Sequence, residues 1–197
     1  MRVILTAVPG CGKTTIVEHL KKRMKINFVN FGDIMFEMVR QKLDRDEMRK
    51  QLSDEEYREL QLKAAEKIKD VDSIIIDTHS SVKTARGFYP GCPEKVIKTL
   101  KPDLFIIIEK SPEEIAALRA TDKKRNRDSE TPEEIEEHQM MNRYYAAVYS
   151  VLAGCPVAII NLRYKEKKPY EHAEDAAEQI AKLLGGEKCL ALSSKTR

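Results

Sequence analysis

The 197 residues contain no apolar run approaching the ~20 that a membrane-spanning helix requires. Residues 1–8 pass directly into a strand pattern, without the charged, apolar and small-residue succession of a secretory signal. A cytoplasmic protein that does not insert in a membrane is the expectation. No C-x-x-C spacing occurs, because Cys11, Cys92, Cys155 and Cys189 lie far apart, so neither a structural zinc site nor a dithiol redox site is expected. A dominant charge is missing as well: the formal net charge is only +3, and Lys and Arg are interleaved with Glu rather than gathered into a basic block. That argues against nucleic acid as a partner. There is no internal repeat and no low-complexity linker. What remains is 42% hydrophobic and 34% charged, the balance of one soluble globular domain, with too few residues for two full-sized ones.

Apolar periodicity then divides the chain into alternating strands and helices. Residues 2–7 (RVILTA) read as a buried strand and 13–24 as a helix with Ile16, Val17 and Leu20 on one face. Residues 27–31 read as a second strand, followed by a helix over about 33–43 that carries Ile34, Met35, Met38 and Val39. After a polar break at 44–53, Ser53 to Glu56 supplies a capping box for a helix with Tyr57, Leu60, Leu62, Ala64 and Ile68 as its apolar set. Residues 72–77 (DSIIID) form the clearest buried strand, with an acid at its carboxyl end, and 78–93 read as a loop rich in Gly and Pro.

Strand 104–109 precedes a helix opened by Ser111-Pro112-Glu113-Glu114, in which Ser caps, Pro fits the first turn and Glu114 closes the box. The same device recurs at Thr131-Pro132-Glu133-Glu134, and the charged stretch 122–128 between them cannot be core. A strand at 157–161 and a helix from Glu171 to Leu184, stopped by Gly185-Gly186, complete the pattern. Strands separated by helices predict an α/β fold, a five-stranded parallel sheet with helices on both faces.

The chemistry begins at residues 7–15, AVPGCGKTT, between a strand and a helix. A G-x-x-x-x-G-K-[ST] loop in that context wraps phosphates with backbone N–H groups and turns a helix N-terminus toward their charge. One letter differs, since Ala7 stands where the first Gly is usual, so this position must avoid a left-handed conformation, which would cost Ala about 1 kcal/mol or more. Gly10 and Gly12 remain for the positive φ angles of an anion nest. Pro9, Gly10, Cys11, Gly12, Lys13, Thr14 and Thr15 are the candidate ATP-binding residues, with Cys11 a spacer. Lys13 would bridge the β- and γ-phosphates and the Thr14 hydroxyl would sit on Mg²⁺.

Such a loop announces a nucleotide without saying what it is for. Asp77, ending its Ile-rich strand, stands where an acid would hold Mg²⁺ through water, although an Asp there can also simply cap a turn. Phosphoryl transfer between nucleotides needs cations converging on developing charge. Candidates are Arg45 and Arg49 in the polar break, Lys83 and Arg86 after Asp77, and Arg119, Arg125 and Arg127 around the charged stretch. His138 falls on a helical stripe with Ile135, Met141, Tyr145, Val148 and Leu152, which reads as packing rather than catalysis, as do Met140 and Met141.

In combination these blocks resemble the nucleoside monophosphate kinases, and most closely the archaeal type of adenylate kinase. The resemblance rests on 8–15, 29–36 (VNFGDIMF), 44–49 (DRDEMR), 76–79 (IDTH), 83–93 (KTARGFYPGCP), 125–128 (RNRD) and 136–143 (EEHQMMNR), and runs from residue 1 to about 161. It implies the three-layer P-loop NTPase fold, with a core at 1–31, 70–121 and 131–186, a helical monophosphate-binding insertion at 32–69, a short lid at 122–130 and a frayed tail at 187–197. It implies that Arg119 lies against the ATP base and that Arg125 and Arg127 act catalytically from the lid. Phe31, Gly32 and Asp33 would border the AMP site. Phe36 replaces the arginine common after Gly-Asp in the wider family, so the acceptor phosphate needs another cation, which Arg45, Arg49 or Arg86 could provide, with Lys83 also among the AMP-binding residues. The expected reaction transfers the γ-phosphoryl of ATP to AMP with Mg²⁺, giving two ADP, and the family suggests a homotrimer. CMP or UMP as acceptor, a ribosome-maturation ATPase and a regulatory switch stand as alternatives.

Overall fold

The computed structural model describes residues 1–40, 48–121 and 130–185, with Arg49 and Lys50 described by backbone alone. Among these the chain runs β1 (Arg2–Thr6), α1 (Lys13–Arg23), β2 (Asn27–Asn30), α2 (Phe31–Val39), α3 (Met48–Gln51), α4 (Asp54–Ile68), β3 (Ile74–Thr78), β4 (Ser81–Thr84), β5 (Gly87–Pro90), α5 (Glu94–Leu100), β6 (Leu104–Lys110), α6 (Pro112–Thr121), α7 (Pro132–Ala153), β7 (Val157–Leu162) and α8 (Glu171–Leu183). No helix of the described residues is long and apolar enough to cross a membrane.

Five strands form one sheet in the order β2-β3-β1-β6-β7, each neighbouring pair parallel. Alternation along the strands makes two cores. Val3 and Leu5 of β1, Ile75 of β3 and Ile106 and Ile108 of β6 pack with Ile16, Val17 and Leu20 of α1 and Ala176, Ala177 and Ile180 of α8. Ile4, Ile74, Ile76 and Phe105 face the opposite layer, against Met35 of α2, Leu60 and Ala64 of α4, Val96 and Ile97 of α5 and Tyr149 of α7. A slip of one residue would exchange the two faces, so burial on both sides sets the register. The chain leaves β1 toward β2 and β3 on one side and later toward β6 and β7 on the other. The carboxyl end of β1 is therefore the topological switch point, where open α/β sheets bind ligands.

Departures from the sequence reading occur where long-range contacts compete with local pattern. The stretch 78–93 is not plain loop: β4 and β5 pair antiparallel, with Gly87 at φ 107 beside the turn. Only 7 residues long, α5 is too short for its periodicity to declare it. β2 stops at Asn30 and α2 starts at once, because the Asn30 side chain caps it by accepting the Asp33 N–H at 3.0 Å. The boxes at Ser53/Glu56 and Thr131/Glu134 are closed as expected. At α6 the box stays half made. Ser111 Oγ accepts the Glu114 N–H, but Glu114 Oε1 turns to Lys110 Nζ at 2.8 Å and His172 Nδ1 at 3.1 Å.

Two helices present polar residues to the core, and α7 also leaves apolar ones outside. On α4, Gln61 takes the buried place beside Leu60, its Nε2 donating to the carbonyls of Pro90 and Gly91 at 3.2 and 2.8 Å. On α7, Met140, Val148 and Leu152 are exposed rather than packed, while Gln139, Asn142, Ala146 and Tyr149 are buried. Gln139 satisfies the Lys110 backbone, and Asn142 Oδ1 accepts from Ser81 N and Oγ at 3.0 and 2.8 Å. His138 is core, as read: burial pushes its pKa down, Nε2 lies 3.2 Å from the Ser81 carbonyl oxygen, and its ring leans on Phe88.

Candidate active site

The loop at residues 7–12 has the backbone its glycines allow. Gly10 and Gly12 both sit at φ 88, and Ala7 is absent from the positive-φ residues, so the missing first Gly costs no strain. Gly12 is the N-cap of α1 in a left-handed conformation, with no side-chain cap and no acidic residue in the first turn. The N–H groups at that helix start thus face outward with the positive end of the dipole behind them. Lys13 opens the helix, and exposed Thr14 follows. Cys11 is spacer, as read: its side chain is buried against the Ile108 carbonyl, and burial pushes the thiol up to about 12, so it adds no charge to the loop.

Lys13 Nζ lies 2.6 Å from Asp77 Oδ1 and donates to the Thr78 carbonyl at 2.6 Å. Asp77 is almost fully buried at the carboxyl end of β3. Its Oδ2 accepts from Asn30 Nδ2 at 2.9 Å, whereas Oδ1 has the ammonium beside it and, among the described residues, no directed hydrogen bond. An acid with one oxygen held and the other turned to the phosphate-loop lysine, next to an exposed threonine hydroxyl, fits a divalent cation carried by a polyphosphate.

A second cluster joins three elements. The Arg119 side chain of α6 is almost fully buried, its Nε donating to the Pro9 carbonyl at 2.8 Å, its Nη1 to Glu130, and its buried Nη2 finding no acceptor among the described residues. Glu130 also meets Lys83 Nζ of β4 at 2.9 Å, and Lys83 pairs with Glu134 of α7 at 2.9 Å. Burial alone would raise the Glu130 carboxyl, but the hydrogen bonds from Lys83 and Arg119 hold it below the usual range. Arg119 therefore pins the phosphate loop while keeping one donor for a ligand.

The acceptor-side residues are more scattered. The Phe31 side chain is core, which leaves its backbone at the start of α2 as what it can offer. Gly32 and exposed Asp33 lie in the same first turn, tied through Asn30 to Asp77. Lys83 joins Arg119 through Glu130. Arg86 is exposed in the β4–β5 turn and pairs with Asp54 at 2.9 Å. Arg45, Arg125 and Arg127 lie outside the described residues, as does the Arg49 side chain. Asn30 and Glu130 were not foreseen. An Asn three residues before Asp at a strand's end is a readable cap signature, but nothing local marks Glu130.

A family model described as an AAA domain matches residues 6–136. The adenylate kinase of Pyrobaculum aerophilum is 43% identical over 190 residues, covering 93% of this chain and 96% of that relative. The chain belongs to the adenylate kinase family. The adenylate kinase of Pyrococcus furiosus is 42% identical, covering 92% of this chain and 94% of its own. As a member of this family the chain is a phosphotransferase with a P-loop nucleotide site. Among solved structures, shikimate kinase from Bacteroides thetaiotaomicron matches with a TM-score of 0.65 at 16% identity over 94% of this chain and 98% of its own. The YorR protein of Bacillus subtilis matches with a TM-score of 0.58 at 16% identity over 95% of this chain and 98% of its own. At such identity these two speak for the kinase-like fold alone.

Proposed function

We propose that this adenylate kinase family member transfers the γ-phosphoryl group of ATP in line onto the α-phosphate of AMP, giving two ADP, in the cytoplasm. The observation that carries the reading is the uncapped start of α1 with Lys13 poised 2.6 Å from the buried acid Asp77. The helix start and the nest at Gly10 and Gly12 bind the polyphosphate, and Lys13 moves from Asp77 to the β- and γ-oxygens. Thr14 and, through water, Asp77 would hold Mg²⁺, which when bound neutralises charge across the β- and γ-phosphates. Gly32 and Asp33 border the acceptor, with Arg45, Arg49 and Arg86 as candidate cations for its phosphate. The acceptor phosphate is already anionic, so no general base is required.

The insertion at 32–69 and the lid at 122–130, with Arg125 and Arg127 as catalytic cations, are proposed to close over both nucleotides and exclude water, which would otherwise hydrolyse ATP. A homotrimer, with no nucleic acid or membrane partner, is the proposed assembly on family grounds, and sedimentation checks it. The reaction is tested with a panel of AMP, CMP and UMP against MgATP. Wild type should form ADP fastest with AMP, and Lys13→Met should lose roughly 10³-fold in kcat/KM, the scale of one preorganised charge at a transition state. Unchanged turnover in the variant, or ATP hydrolysis indifferent to AMP, would sink the reading.

A further inference from the structure

We infer that Asn30 is a positioning residue for the Asp77 carboxylate: its amide turns one oxygen of that acid toward the phosphate loop and locks the acid to the start of α2. The inference rests on the proposed role of Asp77 in holding Mg²⁺ through water. Asn30 and Asp77 are register partners on the adjacent strands β2 and β3, so their side chains meet at the same carboxyl edge of the sheet. Asn30 Nδ2 donates to Asp77 Oδ2 at 2.9 Å, and Asn30 Oδ1 accepts the Asp33 N–H at 3.0 Å. That pair of contacts settles which end of the amide is which. A flipped amide would set oxygen against carboxylate and NH₂ against N–H, two repulsions in place of two bonds.

The consequence is geometric. A carboxylate held only by its own rotamer can turn about its last torsion, which is broad and soft. With Oδ2 held by Asn30, Oδ1 is the oxygen presented to Lys13, 2.6 Å away, and among the described residues it has no directed hydrogen bond of its own. A neutral amide suits the task, because a second acid would repel Asp77 and a cation would compete with both Lys13 and the metal. The same amide is the cap of α2, whose first turn carries Gly32 and Asp33. The acid on the metal side and the helix on the acceptor side therefore share one side chain, and a shift of either is felt by the other.

Two substitutions separate capping from positioning. Asn30→Ser keeps a good cap acceptor and removes the amide donor, and Asn30→Asp keeps the acceptor and sets an anion against Asp77. In the full-length protein saturated with a non-hydrolysable ATP analogue, Mn²⁺ is titrated and its binding read by electron paramagnetic resonance, beside thermal melting and the Mg²⁺ dependence of ADP formation. Asn30→Ser should weaken Mn²⁺ binding about tenfold and Asn30→Asp about 100-fold, the usual range for losing an outer-shell partner. Melting of Asn30→Ser should stay near wild type, and adding it to Asp77→Asn should weaken Mn²⁺ binding no further, since it acts through that acid.

Unchanged Mn²⁺ affinity in Asn30→Ser, whatever its melting temperature, would leave Asn30 a cap alone and overturn the inference. Additive losses in the double variant would overturn it too. If Asp77→Asn alone leaves Mn²⁺ binding untouched, the metal role of Asp77 fails and the inference falls with it. If wild type binds Mn²⁺ with the analogue yet makes no ADP from AMP, the proposed reaction fails while the Asn30 variants still decide the positioning role.

Discussion

Helices α1 and α7 begin in opposite ways. At α7 the Thr131 side chain accepts the Glu134 N–H, Glu134 returns to the Thr131 N–H at 2.9 Å, Pro132 fits the first turn, and Glu133 adds a second acid. At α1 the cap is Gly12 in a left-handed conformation, with no side-chain cap and no acid in the first turn. The closed start satisfies its own orphan donors and offsets its dipole, each device worth about 0.5–1 kcal/mol. The open start forgoes both. What it keeps is an unneutralised cluster of N–H donors beside Lys13, which a polyphosphate can complete. A helix end left unstable by local rules is thus the mark of the proposed phosphate site in this molecule.

The sharpest way to break the contrast is to give α1 the acid that α7 has. Thr15 occupies the third helical position, so Thr15→Glu would supply the acid of a capping box, the part that reaches back to the Gly12 N–H, while Gly12 still lacks the other. It should raise thermal stability by about 0.3–1 kcal/mol. It should also weaken ATP binding roughly 10³-fold, since like charges ~4 Å apart at an effective dielectric of ~20 repel by about 4 kcal/mol. Calorimetric titration beside a melting curve reads both, and ATP binding left intact would break the account of α1.

Gly12→Ala tests the backbone rather than the charge. A Cβ there meets nothing within 4 Å, so the whole cost is the positive φ, about 1–2 kcal/mol. A comparable loss, on the order of tenfold, is expected in ATP affinity as the loop relaxes, and a crystal structure of the variant would show which N–H groups turn away. Removing a cap from the closed helix should do the reverse. Thr131→Ala is expected to lower stability by about 1 kcal/mol, a shift of roughly 2–4 °C in melting temperature, with ATP affinity unchanged.

The smallest effect concerns Cys11. Burial holds the Cys11 and Cys92 thiols protonated up to about 12 in the fold. In the unfolded chain they ionise near 9.0, so between those values the native state binds more protons and stability falls as pH rises. Near neutral pH neither thiol carries charge, and Cys11→Ala should leave ATP affinity within about twofold. A thiol reagent that modifies native Cys11 rapidly at neutral pH would contradict the neutral loop.

Much of the fold was legible because its signals are local. Buried β-branched runs announced β1, β3 and β6, and the Ser53 and Thr131 boxes announced α4 and α7, since cap and box lie within four residues of each other. The hairpin of β4 and β5 was missed because both strands are only four residues long, and Gly87 and Pro90 at the ends of β5 read as turn residues. The face of α7 was misread because apolar content usually predicts burial, whereas Gln139 and Asn142 go inside to satisfy the backbones of Lys110 and Ser81. Neither backbone is near them in the chain.

The sequence by itself determined the shape of the loop that leads into Lys13. The two glycines, the strand before them and the helix after them dictate that loop through φ angles and peptide dipoles, which need no distant partner. Only the tertiary structure decided what surrounds it: that Asn30 holds Asp77 across two strands, that Arg119 grips the Pro9 carbonyl, and that Glu130 joins Arg119 to Lys83. An amide or a guanidinium carries no local sign of its partner. Its partner is chosen by which strands and helices the packed sheet brings side by side.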